Sequence, residues 1–295
     1  MSSATSARLR LALAAILFST GGAAIKAAAF TSWQIAGFRS GVAALVLWLL
    51  VPAARRGWTW RVVLVGAAYA ATLVLFVLAN RLTTSANTIF LQSTAPLYVL
   101  VLGPWLLHEP VRPGDVGFMA AVGLGLVLFF VGAEPPLVTA PDPARGNLLA
   151  AGSGVTWAIT VCGLRWMGAR ESGGGSGMAA VVVGNLLAFG AALPKTLPLG
   201  AHRIADWGMI VYLGAFQIGL AYVLVTTALR ELPALEASII LLIEPALNPL
   251  WSWAVHGEVP GGFALAGGTL ILGATTVRTW LDARGRPAAA PAQSG

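Results

Sequence analysis

"APLYVLVLGPWLLHE", residues Ala95 to Glu109, has a counterpart in "EPALNPLWSWAVHGE", residues Glu244 to Glu258. Each is an apolar run with a proline near its start and a glutamate 13 residues beyond that proline. An arginine precedes each proline by 15 residues, Arg81 before Pro96 and Arg230 before Pro245, so three residue types recur at one offset of 149. Coincidence explains this poorly, because neighbouring apolar runs match in the same order. Gly117 and Gly123 fall on Gly267 and Gly273 after a one-residue slip, and Phe18 and Lys26 fall on Trp157 and Arg165 at an offset of 139. The second run matches the seventh weakly, and its Arg39 has no counterpart.

The medium these runs occupy follows from composition. The chain has 295 residues, 57% hydrophobic and only 10% charged. A soluble domain carries about 25% charged residues, so a water-facing globule could not be covered. A mean hydropathy of +0.80 points to lipid. Ten apolar stretches, near 9–29, 34–52, 61–80, 86–107, 114–132, 146–168, 177–194, 207–229, 234–255 and 261–281, are each long enough to cross about 30 Å of hydrocarbon as a helix. They do not alternate as barrel strands would. The expected fold is an all-α integral membrane protein of ten transmembrane helices.

Five helices per half is an odd number, so the second half enters from the opposite face. The expected architecture is two five-helix repeats of inverted topology, over 8–132 and 146–281, with a disordered Pro/Ala-rich tail over 282–295. Inverted repeats of this kind place a site near the midplane, between the halves. Arg8 and Arg10 ahead of the first run suggest a signal peptide, but "STGG" and Lys26 interrupt it, so a retained first helix is expected. With the N-terminus in the cytoplasm, twelve Lys and Arg lie on the cytoplasmic side and four on the other. The positive-inside rule therefore predicts N-in, C-in.

The net charge of +7 does not imply nucleic acid, because the basic residues are scattered singly. The lone Cys162, in an apolar helix, excludes an intrachain disulfide framework. The sequence asks for no cofactor or metal. His108, His202 and His256 lie at segment ends or in loops, and HExxH and Walker A patterns are both missing. "SGGGSG" at 172–177 reads as a connector. An enzyme is therefore not expected.

Polar residues within apolar helices are costly and mark functional candidates. Glu244 is the one mid-depth carboxylate. It could couple to a proton or bind an ammonium, or it could stabilise the break at Pro245. Glu109, Glu236 and Glu258 sit at segment ends, where helix-end contacts are expected. Lys26 and Arg39 lie near the outer end, either snorkelling or steering a carboxylate at the mouth. Ser19 and Lys26 share a face of the first run, as do Tyr69, Thr72, Phe76 and Asn80 on the third and Thr84, Thr88 and Gln92 on the fourth. Gln217, Leu224 and Thr227 line the eighth, with Tyr222 beside them, and Trp157 and Trp166 are aromatic candidates on the sixth. Such stripes line cavities or join helices. Trp58, Trp60, Trp207 and Trp280 fit interfacial belts. Gly117, Ala121 and Gly125, with Ala264 and Gly268, mark close packing faces. These are expected inside one chain rather than at a dimer seam, so a monomer is favoured.

Five plus five helices, Phe38–Arg39 in the second run and the Pro-then-Glu pattern closing the fourth and ninth resemble the drug/metabolite transporter superfamily in its EamA-type branch. The likeness spans about residues 8–281. The whole chain also resembles bacterial aromatic amino acid exporters of the YddG type. These resemblances imply a bacterial inner-membrane exporter of amino acids or related small amphipathic metabolites. They also imply a central cavity lined by helices 1, 3, 4, 6, 8 and 9. A passive channel and a drug or nucleotide-sugar carrier are the other readings.

Overall fold

The computed structural model describes residues 3–108, 110–111, 113–132, 135–168, 176–229, 231–232, 237 and 240–284. Glu109, Arg112, Arg170, Arg230, Glu236, most of the 172–177 connector and the tail from 285 lie outside the described residues.

The chain is all-helical. The elements are α1 (Ser3–Ser19), α2 (Gly21–Ala27), α3 (Ser32–Leu50), α4 (Trp60–Asn80), α5 (Ser85–Gln92), α6 (Ala95–Leu106), α7 (Pro113–Val131), α8 (Pro143–Gly168) and α9 (Ser176–Ala192). Then follow α10 (Ile204–Val211), a π-helical stretch Tyr212–Leu220, α11 (Ala221–Ala228), α12 (Ile243–His256) and α13 (Gly262–Arg284). Among the described residues, eight spans are long and apolar enough to cross a membrane. Leu45, Leu64, Leu124 and Val277 stand more than half exposed on the outside, as lipid-facing side chains do.

Local chemistry sets the ends. Thr31 caps α3 in a capping box with Gln34. Thr59 and Thr84 accept from Val62 N and Asn87 N at the starts of α4 and α5. Each satisfies a backbone donor that lipid could not. Gly257, at φ 66°, closes α12 in the left-handed conformation that glycine takes without strain.

The repeated proline marks a break in both halves. The fourth run is two helices, α5 and α6, parted at Ser93 and Thr94, with Pro96 in the first turn of α6. In the ninth, α12 begins at Ile243, two residues before Pro245. Proline is tolerated there because first-turn N–H groups have no intrahelical acceptor. The first run also breaks, at Thr20, and the eighth carries the π-stretch.

Glycines set the close approaches. A Cβ on Gly267 would lie 2.7 Å from Gly125 O, so α7 and α13 touch backbone to backbone. Gly125, Gly267 and Gly268 thus serve internal packing here. Gly117 meets nothing within 4 Å. Gly267→Leu is expected to overpack this crossing and cost about 1–3 kcal/mol. It should lower the temperature at which the detergent-purified protein loses its monodisperse elution peak. Gly117→Leu should leave that temperature unchanged.

Candidate functional site

A cavity of about 1020 Å³ enters the bundle from the face that carries the start of α1. Pro110, Val111, Asp115, Arg165 and Arg278 line its outer part, and Gln92, Trp157, Glu244 and Pro245 its inner part. Asp115 and Arg278 form an ion pair there between α7 and α13. Gln92, Trp157 and Glu244 also line a deeper chamber of about 150 Å³ with Phe18, Arg39, Tyr69, Thr72, Phe76, Gln217 and Tyr222. The chamber therefore continues the cavity into the middle of the fold.

The helix breaks position its polar groups. Glu244 is a first-turn residue of α12, where the positive end of the helix dipole favours a carboxylate. Gln92 ends α5 just before the break at Ser93. Arg39 comes within the second turn of α3, and Gly214 of the π-stretch packs so close that a Cβ there would lie 2.6 Å from Arg39 O. Tyr222 follows the π-stretch and meets Phe18 and Tyr69 edge-on at centroid distances of 5.4 and 5.8 Å. Tyr69 in turn tilts against Trp157 at 6.2 Å.

The opposite face is shut. Lys26 Nζ and Glu258 Oε1 pair at 2.8 Å, each side chain only 3% exposed. Lys26 also donates to Thr83 O and Thr139 O, and Glu258 Oε2 accepts from Ser85 N at the start of α5 at 3.0 Å. Arg81 donates to Lys26 O and Phe30 O, and His256 Nε2 bonds Ala23 O. Trp251 donates to Ser19 Oγ at 2.9 Å. A knot of buried charge thus joins α2, the start of α5, the loop after α7 and the end of α12. Gly257 turns the chain so that Glu258 points back into it.

Several sequence expectations change in this light. Lys26 neither snorkels nor lines the cavity; its ammonium is buried against Glu258. Arg39 is not at a mouth. It is 2% exposed and lines the inner chamber, so the second helix joins the lining. Ser19 is fully buried and bonds Ile16 O and Trp251. Asn80 accepts from Ser85 Oγ, and Thr88 bonds Thr84 O within its own helix. Trp166 packs edge-on against Trp60, with Arg61 over its ring. Leu224 lies outside the lining of both spaces. Tyr69, Phe76, Gln92, Trp157, Gln217, Tyr222 and Glu244 come together with Arg39 around the chamber. Glu258 is the residue underrated by sequence; the only signal for it was the repeat.

The EamA-like transporter family matches the chain over residues 6–131 and again over 144–279. The chain belongs to that family. Its membership carries the inverted-repeat, non-enzymatic transporter architecture. One solved crystal structure of another protein superposes with a TM-score of 0.61 at 20% identity, over 95% of this chain and 98% of that one, which supports the fold alone. None of the curated proteins matches the sequence.

In this EamA-like transporter the knot is the barrier at the closed face. Removing one member of a buried pair costs about 3–5 kcal/mol, and each 1.4 kcal/mol is tenfold in an equilibrium. Lys26→Met is therefore expected to raise labelling of a cysteine at Thr72, in a Cys162→Ala background, by about tenfold or more. The reagent is a membrane-impermeant maleimide applied from the face that the knot closes.

Proposed function

We propose that this EamA-like transporter exports small amphipathic metabolites, neutral and aromatic amino acids foremost, from the cytoplasm to the periplasm of a bacterial inner membrane. The observation that carries the reading is a cavity, open at one face, ending in a mixed polar and aromatic chamber beneath a charge-sealed opposite face. The excess of Lys and Arg on the open side supports assigning that side to the cytoplasm. Solute then enters from the cytoplasm and reaches the chamber, and the knot opens as the other end closes.

A far face closed by a buried ion pair among the described residues favours alternating access over a passive pore. The chamber lining favours solutes with both a polar head and an apolar body. Rings such as Trp157 and Tyr69 give contact area, and Gln92, Gln217, Arg39 and Glu244 give polar partners. Gly125, Gly267 and Gly268 pack within the chain, which favours a monomeric working unit.

Counterflow in proteoliposomes tests this reading. Vesicles preloaded with unlabelled phenylalanine, threonine or methionine should take up labelled amino acid with saturation, and empty-loaded vesicles should not. Lack of counterflow with every amino acid tried would overturn the amino acid assignment. Uptake that fails to saturate would instead favour a channel.

A further inference from the structure

The chamber holds one cation and one carboxylate that are not spent on each other. Arg39 and Glu244 both line it, yet no ion pair among the described residues includes either. The Arg39 guanidinium is 2% exposed and donates from Nη2 to Leu73 O at 3.2 Å, while its Nε is buried without an acceptor. Tyr222 stands within electrostatic reach of both Arg39 and Glu244. A buried guanidinium with an unmet donor is costly, and three cations elsewhere in the fold are paired with carboxylates. Lys26 has Glu258, Arg278 has Asp115 and Arg10 has Glu231. An opposite pair of charges that share one chamber without an ion pair to either marks a place where a ligand completes the set.

We infer that the chamber is a zwitterion site, in which Arg39 binds the α-carboxylate of a neutral amino acid and Glu244 binds its α-ammonium. Guanidinium suits a carboxylate because its planar fork matches the two oxygens. The ring edges of Phe18, Tyr69 and Tyr222 and the indole of Trp157 then face the ligand's side chain. Apart from Arg39 and Glu244 the lining is aromatic, aliphatic or neutral polar, with Thr72, Gln92 and Gln217 among it, so neutral side chains are taken and charged ones are refused. Opposite charges in one small chamber also exclude simple anions and simple amines, since either alone leaves one protein charge buried and unmatched. This inference rests on the amino acid reading above and names which part of the solute each residue recognises.

The test is equilibrium binding of labelled phenylalanine and labelled threonine to the purified full-length protein. Bound label is competed by phenylalanine, phenylalaninamide, phenylethylamine and 3-phenylpropanoate. Phenylalanine should compete about tenfold or more better than any analogue lacking one charge, because each such analogue strands a buried partner. Arg39→Gln should erase the difference between phenylalanine and its amide. Glu244→Gln should erase the difference between phenylalanine and 3-phenylpropanoate. The analogue series on the unmodified protein needs no variant to fold. Equal competition by all four compounds, or failure of both labelled amino acids to bind, would overturn the inference. Charge-dependent binding without counterflow would leave the site standing and overturn the transport reading instead.

Discussion

A lysine and a glutamate buried against each other at one end of a lipid-embedded bundle constrain everything around them. Separating Lys26 from Glu258 strands a charge where neither lipid nor packed protein can solvate it. The pair also holds three backbone groups, Ser85 N, Thr83 O and Thr139 O. The end of α2, the start of α5, the loop after α7 and the turn after α12 can therefore part only together, with water entering as they do. Such an element has two arrangements rather than a continuum, which is what alternating exposure of a central site needs.

The second constraint is backbone satisfaction in lipid. The breaks at Ser93–Thr94 and at Leu242 lie beside the cavity, where side chains or solvent can reach the freed groups. At Ser93–Thr94 and just before Ile243 they create half-helices whose ends meet at the chamber. The π-stretch Tyr212–Leu220 adds a third irregularity next to Arg39 and Tyr222. The interrupted runs contribute Gln92, Gln217 and Glu244 to the chamber, and the unbroken α3 and α4 contribute Arg39, Tyr69 and Thr72. The shared proline position makes the same break in both halves, while the side chain before it differs, Ala95 in one and Glu244 in the other. The frame is duplicated, and the charge at its centre is not.

Much of the frame was legible in the sequence because it depends on local properties. Hydropathy located the spans, and the paired prolines marked where helices would break. The family match over two stretches agrees with the repeat read from Arg81, Pro96 and their counterparts. The site was less legible because it depends on contacts between residues distant in sequence. Lys26 read as a snorkelling or substrate-steering cation and Glu258 as a helix-end charge, and no local pattern reveals that they meet. Arg39 looked peripheral because it lies only five positions into the apolar run read over 34–52. The fold nevertheless wraps α3 against the π-stretch and turns that position inward. Asn80 and Thr88 shared helix faces with lining residues but spend their hydrogen bonds within the bundle. Periodicity finds a buried face without saying whether a cavity or a neighbouring helix covers it.

The most direct measurement is the distance across the knot. Spin labels at Ala27→Cys and Val259→Cys, exposed positions beside Lys26 and Glu258, in a Cys162→Ala background, would report it by pulsed electron resonance. Without solute the distribution should be dominated by one short distance. Under saturating transported amino acid a second, longer distance should appear, and Lys26→Met should enlarge it. A single short distance that persists unchanged while counterflow proceeds would contradict the knot's role as the moving barrier.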